Sequence, residues 1–217
     1  NTSPVSIDAH TGIINKADFI SDDKFATVGS DGFFKIWELN DLSKPFLSVQ
    51  MGAPVKNLAI SEDGSKLACI SQNGLIHIYE IAFLDDRPIE LSIQKKLQSI
   101  ALNSTGSKLL TGDIYGVINL WDLTLPNQRP QEFLDHVSTI TSLAFSPNDS
   151  VFASSSYDNT IRIWNIKNPN QNPIIISDHD SWVMDIEFSS NGNQLVSAGN
   201  DKTIRLFEVN PDLLSSK

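Results

Sequence analysis

Short bursts of alternating apolar and polar residues run along this chain, each closed by a cluster of Gly, Asn, Asp or Ser. Residues 154–166, SSSYDNTIRIWNI, show the pattern: small residues lead into Tyr157-Asp158-Asn159-Thr160, then Ile161, Ile163 and Trp164 follow with polar positions between them. A period of two broken by turn-forming residues predicts β-strands joined by tight turns. No stretch shows a convincing apolar stripe at the 3.6-residue spacing of a helix. The chain is therefore predicted to be all-β.

The bursts repeat. Trp37-Glu38, Tyr79-Glu80, Trp121-Asp122, Trp164-Asn165 and Phe207-Glu208 are spaced by 42, 42, 43 and 43 residues. Pro4, Pro45, Pro88, Pro130 and Pro173 keep nearly the same step, at 41, 43, 42 and 43 residues. Two unrelated residue types holding one period define five units, about 4–40, 41–82, 83–124, 125–167 and 168–210, in one domain spanning 1–210. Residues 211–217 read as an exit tail. Each unit reads as four short strands. In the last unit these are Ile174–Ile176, Val183–Phe188, Leu195–Ala198 and Thr203–Val209, with turn residues such as Asn191-Gly192 and Asn200-Asp201-Lys202 between them. Proline cannot donate to a strand ladder, so a proline opening the same strand in every unit places that strand at an outer edge. Four-stranded units stacked side by side are the blades of a β-propeller.

With the period, the terminal Trp-Asp-type pair and an upstream His all in register, the sequence resembles the WD-repeat family of β-propellers over residues 4–210. The resemblance implies a structural hydrogen-bond network within a blade, running Trp to Ser/Thr, Ser/Thr to His, and His to Asp. The matching positions are His10, Thr27, Asp31 and Trp37 in the first unit and His136, Ser154, Asp158 and Trp164 in the fourth. His179, Ser197 and Asp201 match in the fifth, where Phe207 replaces the Trp. Such a set suits burial because carboxylate, imidazole, hydroxyl and indole N–H can satisfy one another. The second unit carries Met51, Cys69, Asn73 and Tyr79 at these positions and the third Ile93, Thr111, Tyr115 and Trp121, so apolar packing is expected to replace the network there. A trio of His, Ser and Asp also suggests nucleophilic catalysis. Three copies, each beside the terminal aromatic position, favour an architectural role instead, and no Gly-x-Ser-x-Gly elbow is present. A propeller hydrolase is the remote alternative.

Composition narrows the partners. A net charge of −10, from 26 acidic and 16 basic residues, disfavours nucleic acid and anionic membrane surfaces and favours a basic protein or peptide. Cys69 is the sole cysteine and falls in the register of a small core residue, so neither disulfides nor a thiolate metal cluster are expected. His77, on the alternating strand Leu75 to Tyr79, reads as a polar residue facing outward or between blades rather than a metal ligand. No cofactor or metal is expected. No apolar run approaches the length of a membrane span, and the setting is expected to be cytoplasmic.

The expected function is that of a non-catalytic scaffold or sensor recognising protein or peptide through the loops of one propeller face. The candidates flank the network residues: Ser30, Gln72, Tyr157 and Asn200 precede the Asp position, and Lys96, Thr139 and Trp182 lie three past the His position, with Tyr115 alongside. Three of the four tryptophans hold the terminal position of a repeat; Trp182 does not, which singles it out, with Tyr157, as an interface anchor. The repeats, such as SAGNDKTIRLFEVN at 197–210, also resemble in style the C-terminal arrays of bacterial signalling NTPases of the STAND type. A regulatory propeller restraining an NTPase elsewhere in the polypeptide is the alternative, since no phosphate-binding loop occurs here. Five blades are few for the family. The chain is expected to belong to a larger propeller; pairing with a second copy and a five-bladed ring are the other arrangements.

Overall fold

The structure is a computed structural model, and it describes residues 4–84, 87–93, 95–125 and 128–209. The expected exit tail at 211–217 and the turn at Asp85-Asp86 lie outside the described residues. Among the described residues, apart from one 3-10 turn at Ile81–Phe83, the regular structure is β, in five antiparallel sheets.

The first sheet holds β1 (Ile14–Ser21), β2 (Lys24–Gly29), β3 (Phe33–Glu38) and β4 (Leu47–Gln50), in that order. The second holds β5 (Val55–Ile60), β6 (Lys66–Ser71), β7 (Leu75–Glu80) and β8 (Ile89–Ser92). The third holds β9 (Leu97–Leu102), β10 (Lys108–Asp113), β11 (Ile118–Asp122) and β12 (Gln131–Phe133), and the fourth β13 (Ile140–Phe145), β14 (Val151–Ser156), β15 (Ile161–Asn165) and β16 (Ile174–Ile176). The fifth holds three strands among the described residues: β17 (Val183–Phe188), β18 (Gln194–Gly199) and β19 (Ile204–Glu208).

The prolines do mark an edge. Pro45, Pro88, Pro130 and Pro173 stand just before β4, β8, β12 and β16, and each of these is the outermost strand of its sheet. Repeat and sheet are nevertheless out of phase. Ile174–Ile176 reads in sequence as the first strand of the fifth unit, yet it pairs with β15 of the fourth, Ile161 facing Ile176 and Ile163 facing Ile174. A blade is thus three strands of one repeat completed by the first strand of the next. Successive repeats are thereby sewn together through backbone hydrogen bonds as well as packing.

Two backbone devices recur in register. A bulge sits near the start of β1, β5, β9, β13 and β17, at Asn15, Lys56, Gln98, Thr141 and Met184. It turns the bulged side chain towards the neighbouring sheet: Asn15 Nδ2 donates to the Val55 carbonyl (2.6 Å) and Thr141 Oγ1 to the Val183 carbonyl (2.6 Å). The second device is the turn between the two middle strands, which needs a left-handed residue. Gly32, Gly74 and Gly116 supply it in the first three sheets, at φ 83°, 81° and 90°. Asn159 and Lys202 are forced into it in the last two, at φ 70° and 68°.

The chain divides into two compact units, the second beginning at Lys96 and including Ser61–Asp63. In the first unit β5 packs against β1 and β2, and Ile20, Val28, Phe34, Ile36, Val55, Leu58 and Leu67 share one core. In the second, β13 packs on β9 and β10, and β17 on β13 and β14. There Leu110, Ile118, Ile140 and Phe152 form one core layer, and Ala153, Ile161, Ile163, Val183, Ile186 and Leu195 the next.

The turn geometry makes a prediction with opposite signs at two equivalent sites. Lys202 is exposed and strained, so Lys202→Gly should stabilise by about 0.5–1 kcal/mol and raise the melting temperature by a few degrees. At Gly116 a Cβ would also run into the His136 carbonyl, so Gly116→Ala should cost about 1–3 kcal/mol. Thermal unfolding of the two variants beside the parent checks both signs.

Candidate functional site

The sequence-predicted networks assemble in the first, fourth and fifth sheets. In the fourth, His136 Nδ1 lies 2.6 Å from Asp158 Oδ2, and His136 Nε2 lies 2.8 Å from Ser154 Oγ. Trp164 donates its indole N–H to the same hydroxyl at 2.8 Å. An ionised carboxylate can only accept, so the imidazole carries its proton on Nδ1, and Ser154 donates its own proton to Nε2. Every partner is then satisfied. The first sheet repeats the arrangement, with His10 to Asp31 at 2.9 Å, His10 to Thr27 at 2.8 Å and Trp37 to Thr27 at 2.9 Å. In the fifth, His179 reaches Asp201 at 2.8 Å and Ser197 at 2.7 Å, and Phe207 leaves Ser197 without an indole donor.

The Asp also pins its own turn. Asp158 accepts from the Thr160 amide and hydroxyl and from the Val137 amide, and Asp201 accepts the same set from Thr203 and Asp180. These threonines were missed in the sequence, where the shared Asp-x-Thr would have revealed them. Gly29 and Gly199 were missed as well: a Cβ at either would overlap the His–Asp contact of its sheet. The fourth sheet has Ser156 at this position, and its hydroxyl is used on the Ser138 carbonyl.

The second and third sheets solve the same space differently. Met51, Cys69 and Tyr79 fall together in the core of the first unit, with Met51 Sδ 3.4 Å from Cys69 Sγ. Burial pushes the Cys69 thiol up to about 12, which disfavours a thiolate. Of the two expected placements of His77, outward or between blades, the outward one fails: it is buried in β7 opposite Glu90, with Nε2 3.9 Å from the carboxylate. Burial lowers its pKa against the opposing pull of Glu90. In the third sheet Trp121 still donates to Thr111, at 3.2 Å. No His partners them, but a fully buried Asp113 lies two residues before the expected Asp position and caps the turn through the amides of Tyr115 and Val117 (2.8 and 2.9 Å).

Although His136, Asp158 and Ser154 have the connectivity of a hydrolytic triad, Ser154 is fully buried and its oxygen is already covered by the Trp164 indole. Phe133 and Phe152 close on that indole at 5.1 and 5.8 Å. No substrate carbonyl can reach the hydroxyl without dismantling this core.

Electrostatically the pair is a carboxylate beside a neutral imidazole. Burial alone would raise the Asp158 carboxyl, yet hydrogen bonds from His136, Thr160 and Val137 outweigh it and hold it well below the usual carboxylate range. Burial pushes His136 down, and the attraction of Asp158 only partly restores it. Burial likewise works against Asp201 and Asp31, and their hydrogen bonds again prevail and lower both.

The expected recognition residues sit at the mouths of these turns, joined in pairs by backbone hydrogen bonds. Ser30 N–H donates to the Ile13 carbonyl (2.8 Å) and Gln72 to Pro54 (2.8 Å) in the first unit. In the second, Ile114 donates to Lys96 (3.1 Å), Tyr157 to Thr139 (3.0 Å) and Asn200 to Trp182 (2.8 Å). Ser30, Gln72, Lys96, Tyr115, Asn200 and Trp182 are exposed; Thr139 and Tyr157 are half-buried. Of the eight, Tyr157 and Trp182 stack across neighbouring sheets, with centroids 4.4 Å apart and planes at 24°. Trp182 thus covers the adjacent blade with one face and keeps 48% of its surface exposed.

Stacked four-stranded antiparallel sheets with these turn networks are β-propeller blades. The family model described as "WD domain, G-beta repeat" matches residues 2–38, 127–165 and 171–208, together more than half of the chain. The chain belongs to this WD-repeat family. The three matched stretches are those that carry a complete His–Asp pair. No curated protein matches the chain. Domains of this family mediate protein–protein interaction and scaffolding, and they are typically non-catalytic. No helix among the described residues is long and apolar enough to cross a membrane.

The protonation states dictate a pH profile. With the His136 pKa lowered by folding, the unfolded chain binds the extra proton first, so stability should fall as pH drops below about 6.5. Because the Asp158 pKa is lowered too, its contribution is held above about pH 4 and lost on further acidification. Asp158→Asn should cost about 1.5–3 kcal/mol at pH 7 and flatten the acid limb, read from urea midpoints across pH. Equal midpoints for variant and parent at pH 7 would rule out this role.

Proposed function

We propose that the chain is a protein- or peptide-binding module of a scaffold or sensor, recognising its partner through the turn mouths above the networks, with Trp182 and Tyr157 as the anchor. The stacked, half-exposed pair carries this reading. Aromatic rings fixed by packing offer contact area at little entropic cost, and exposed Trp and Tyr are the residue types that dominate interface energies. Asn200 and Thr139 supply hydrogen-bonding groups beside the pair, while Lys96 and Tyr115 extend the surface in the same unit. Ser30 and Gln72 are the equivalent surface of the first unit. Restraint of an NTPase elsewhere in the polypeptide is compatible with such a module and rests on the style of the repeats. A cytoplasmic setting belongs to the same reading and suits a chain whose one thiol is buried.

A second property is favoured by the flanking sheets. Ala153, Ile161 and Ile163 are buried between the fourth and fifth sheets, and their register equivalents on the fifth are Val196, Ile204 and Leu206. There Ile204 is 78% and Leu206 63% exposed. At the other end of the repeat series, Ile14 and Phe19 are exposed where the equivalent Val183 and Phe188 are buried. We propose that both faces are built as blade junctions and take a further blade, from the same polypeptide or from a second copy.

Two measurements test these readings. Peptides selected from a random display library on this chain should lose most of their affinity for Trp182→Ala and Tyr157→Ala, each with an unchanged melting temperature; equal binding by both variants would refute the anchor. The 217-residue chain should self-associate at micromolar concentration in sedimentation experiments, and Ile204→Glu with Leu206→Glu should abolish it. A monomer throughout would count against the junction faces.

A further inference from the structure

Exposed acidic residues surround Trp182 in the sequence and in the turns beside it. Asp178 and Asp180, both exposed, lead into it on one chain segment. Asp158 follows Tyr157 directly and Asp201 follows Asn200, and their hydrogen bonds hold both carboxyls below the usual carboxylate range. Asp135, exposed, precedes His136 closely enough to act on its charge. Against these stand Lys202, exposed in the same turns, and Lys96, exposed at the equivalent of Trp182 in the third sheet. Arg162 and Arg205 are half-buried below the rim, Arg205 at 3.7 Å from Asp201.

An aromatic face carries negative electrostatic potential, so its natural guest is a cation. An acidic segment would be repelled by the carboxylates around it. An aliphatic side chain would gain burial on the indole but would strip water from those carboxylates without replacing it. A guanidinium does neither: it stacks flat on an indole and still points its N–H groups sideways to carboxylates. An ammonium can take the same place as a point charge, with poorer stacking.

Building on the recognition role proposed above, we propose that the Trp182–Tyr157 stack is a cation-binding site for an arginine side chain on an extended basic segment of a protein partner. Tyr157 holds the indole upright from behind, the arginine lies on the free indole face, and Asp178 and Asp180 flank its guanidinium. Association is steered by the same acidic surface and weakens with salt.

Fluorescein-labelled hexapeptides of alternating Gly and Arg, Gly and Lys, Gly and Glu, and Gly and Leu are titrated with the chain in fluorescence anisotropy. The Arg peptide should bind tightest, the Lys peptide several-fold more weakly, and the Glu and Leu peptides not at all. Trp182→Ala should weaken the Arg peptide about tenfold and Trp182→Phe less. Asp178→Asn with Asp180→Asn should weaken it several-fold, whereas Asp22→Asn with Glu62→Gln, acids outside these turns, should not. Trp182-dependent binding of the Glu or Leu peptide would overturn the cation preference while leaving the recognition surface standing. Arg binding that ignores Trp182, or its absence at low salt, would overturn the site.

Discussion

An ionised carboxylate cannot be left unpaired inside a protein, and that constraint organises this fold. Asp158 is nearly enclosed, so it must collect donors, and it collects the His136 imidazole, the Thr160 amide and hydroxyl, and the Val137 amide. These donors come from two separate stretches of chain, His136-Val137 and Thr160. The carboxylate therefore fixes the tight turn between β14 and β15, the segment leading into β13, and through His136 the hydroxyl of Ser154 in the middle of the sheet. Trp164 completes the chain of donors and at the same time fills the core beside Phe133 and Phe152. Polar satisfaction and apolar packing are the two ends of one string of side chains, so neither can drift without the other.

The same geometry explains why two repeats can abandon the network. A half-satisfied polar set is costly, whereas replacing all of it by apolar groups of similar volume can be nearly neutral. The second sheet exchanges three of the four: Met51, Cys69 and Tyr79 take the places of His, Ser/Thr and Trp, the sulfurs meet where imidazole and hydroxyl would, and Asn73 at the Asp position still accepts from the Ser71 hydroxyl and the Leu75 amide. The third makes half of the exchange, keeping Trp121 on Thr111 and moving its carboxylate to Asp113, where two backbone amides serve Oδ1 and no histidine serves Oδ2. The stretches matched by the family model leave out these two repeats, whose chemistry has changed while the four-stranded sheet has not.

The period and the side chains in register were legible in the sequence because both are local: one aromatic and one proline per repeat, with a His and an Asp in three of the five. Phase was not. A 42- or 43-residue step says nothing of which strand closes which sheet, and Ile174–Ile176 is equally readable as the start of one unit or the end of another. Only pairing with β15 settles it. Asp113 escaped because it stands two residues from the expected position, and its role is defined by amides that no sequence pattern displays. For His77 the sequence left two placements open, because period-two alternation assigns it to a face but cannot say whether that face is covered. Tyr157 and Trp182 were each legible as candidates, but their stacking depends on neighbouring sheets bringing two turns within ring contact.

The proposed recognition surface and the network beneath it are separated by depth in the first, fourth and fifth blades. The hydroxyl and the imidazole lie at the bottom of the turn, out of reach, while the residues immediately beside them in sequence are pushed outward by strand alternation and by the turn itself. Ser154 is buried because Trp164 needs its oxygen; Tyr157 is presented because Asp158 next to it needs the turn's amides. The backbone bond from each residue before the Asp position to the residue three past the His position then fixes the height of both above the network. A side chain at either place inherits the rigidity of the buried carboxylate without sharing its desolvation. That is why Trp182 can remain half-exposed and still be ordered: its carbonyl is held by Asn200 and its ring by Tyr157. Sequence change at these outward positions leaves the network untouched, so the same blade can acquire a new specificity without rebuilding its core.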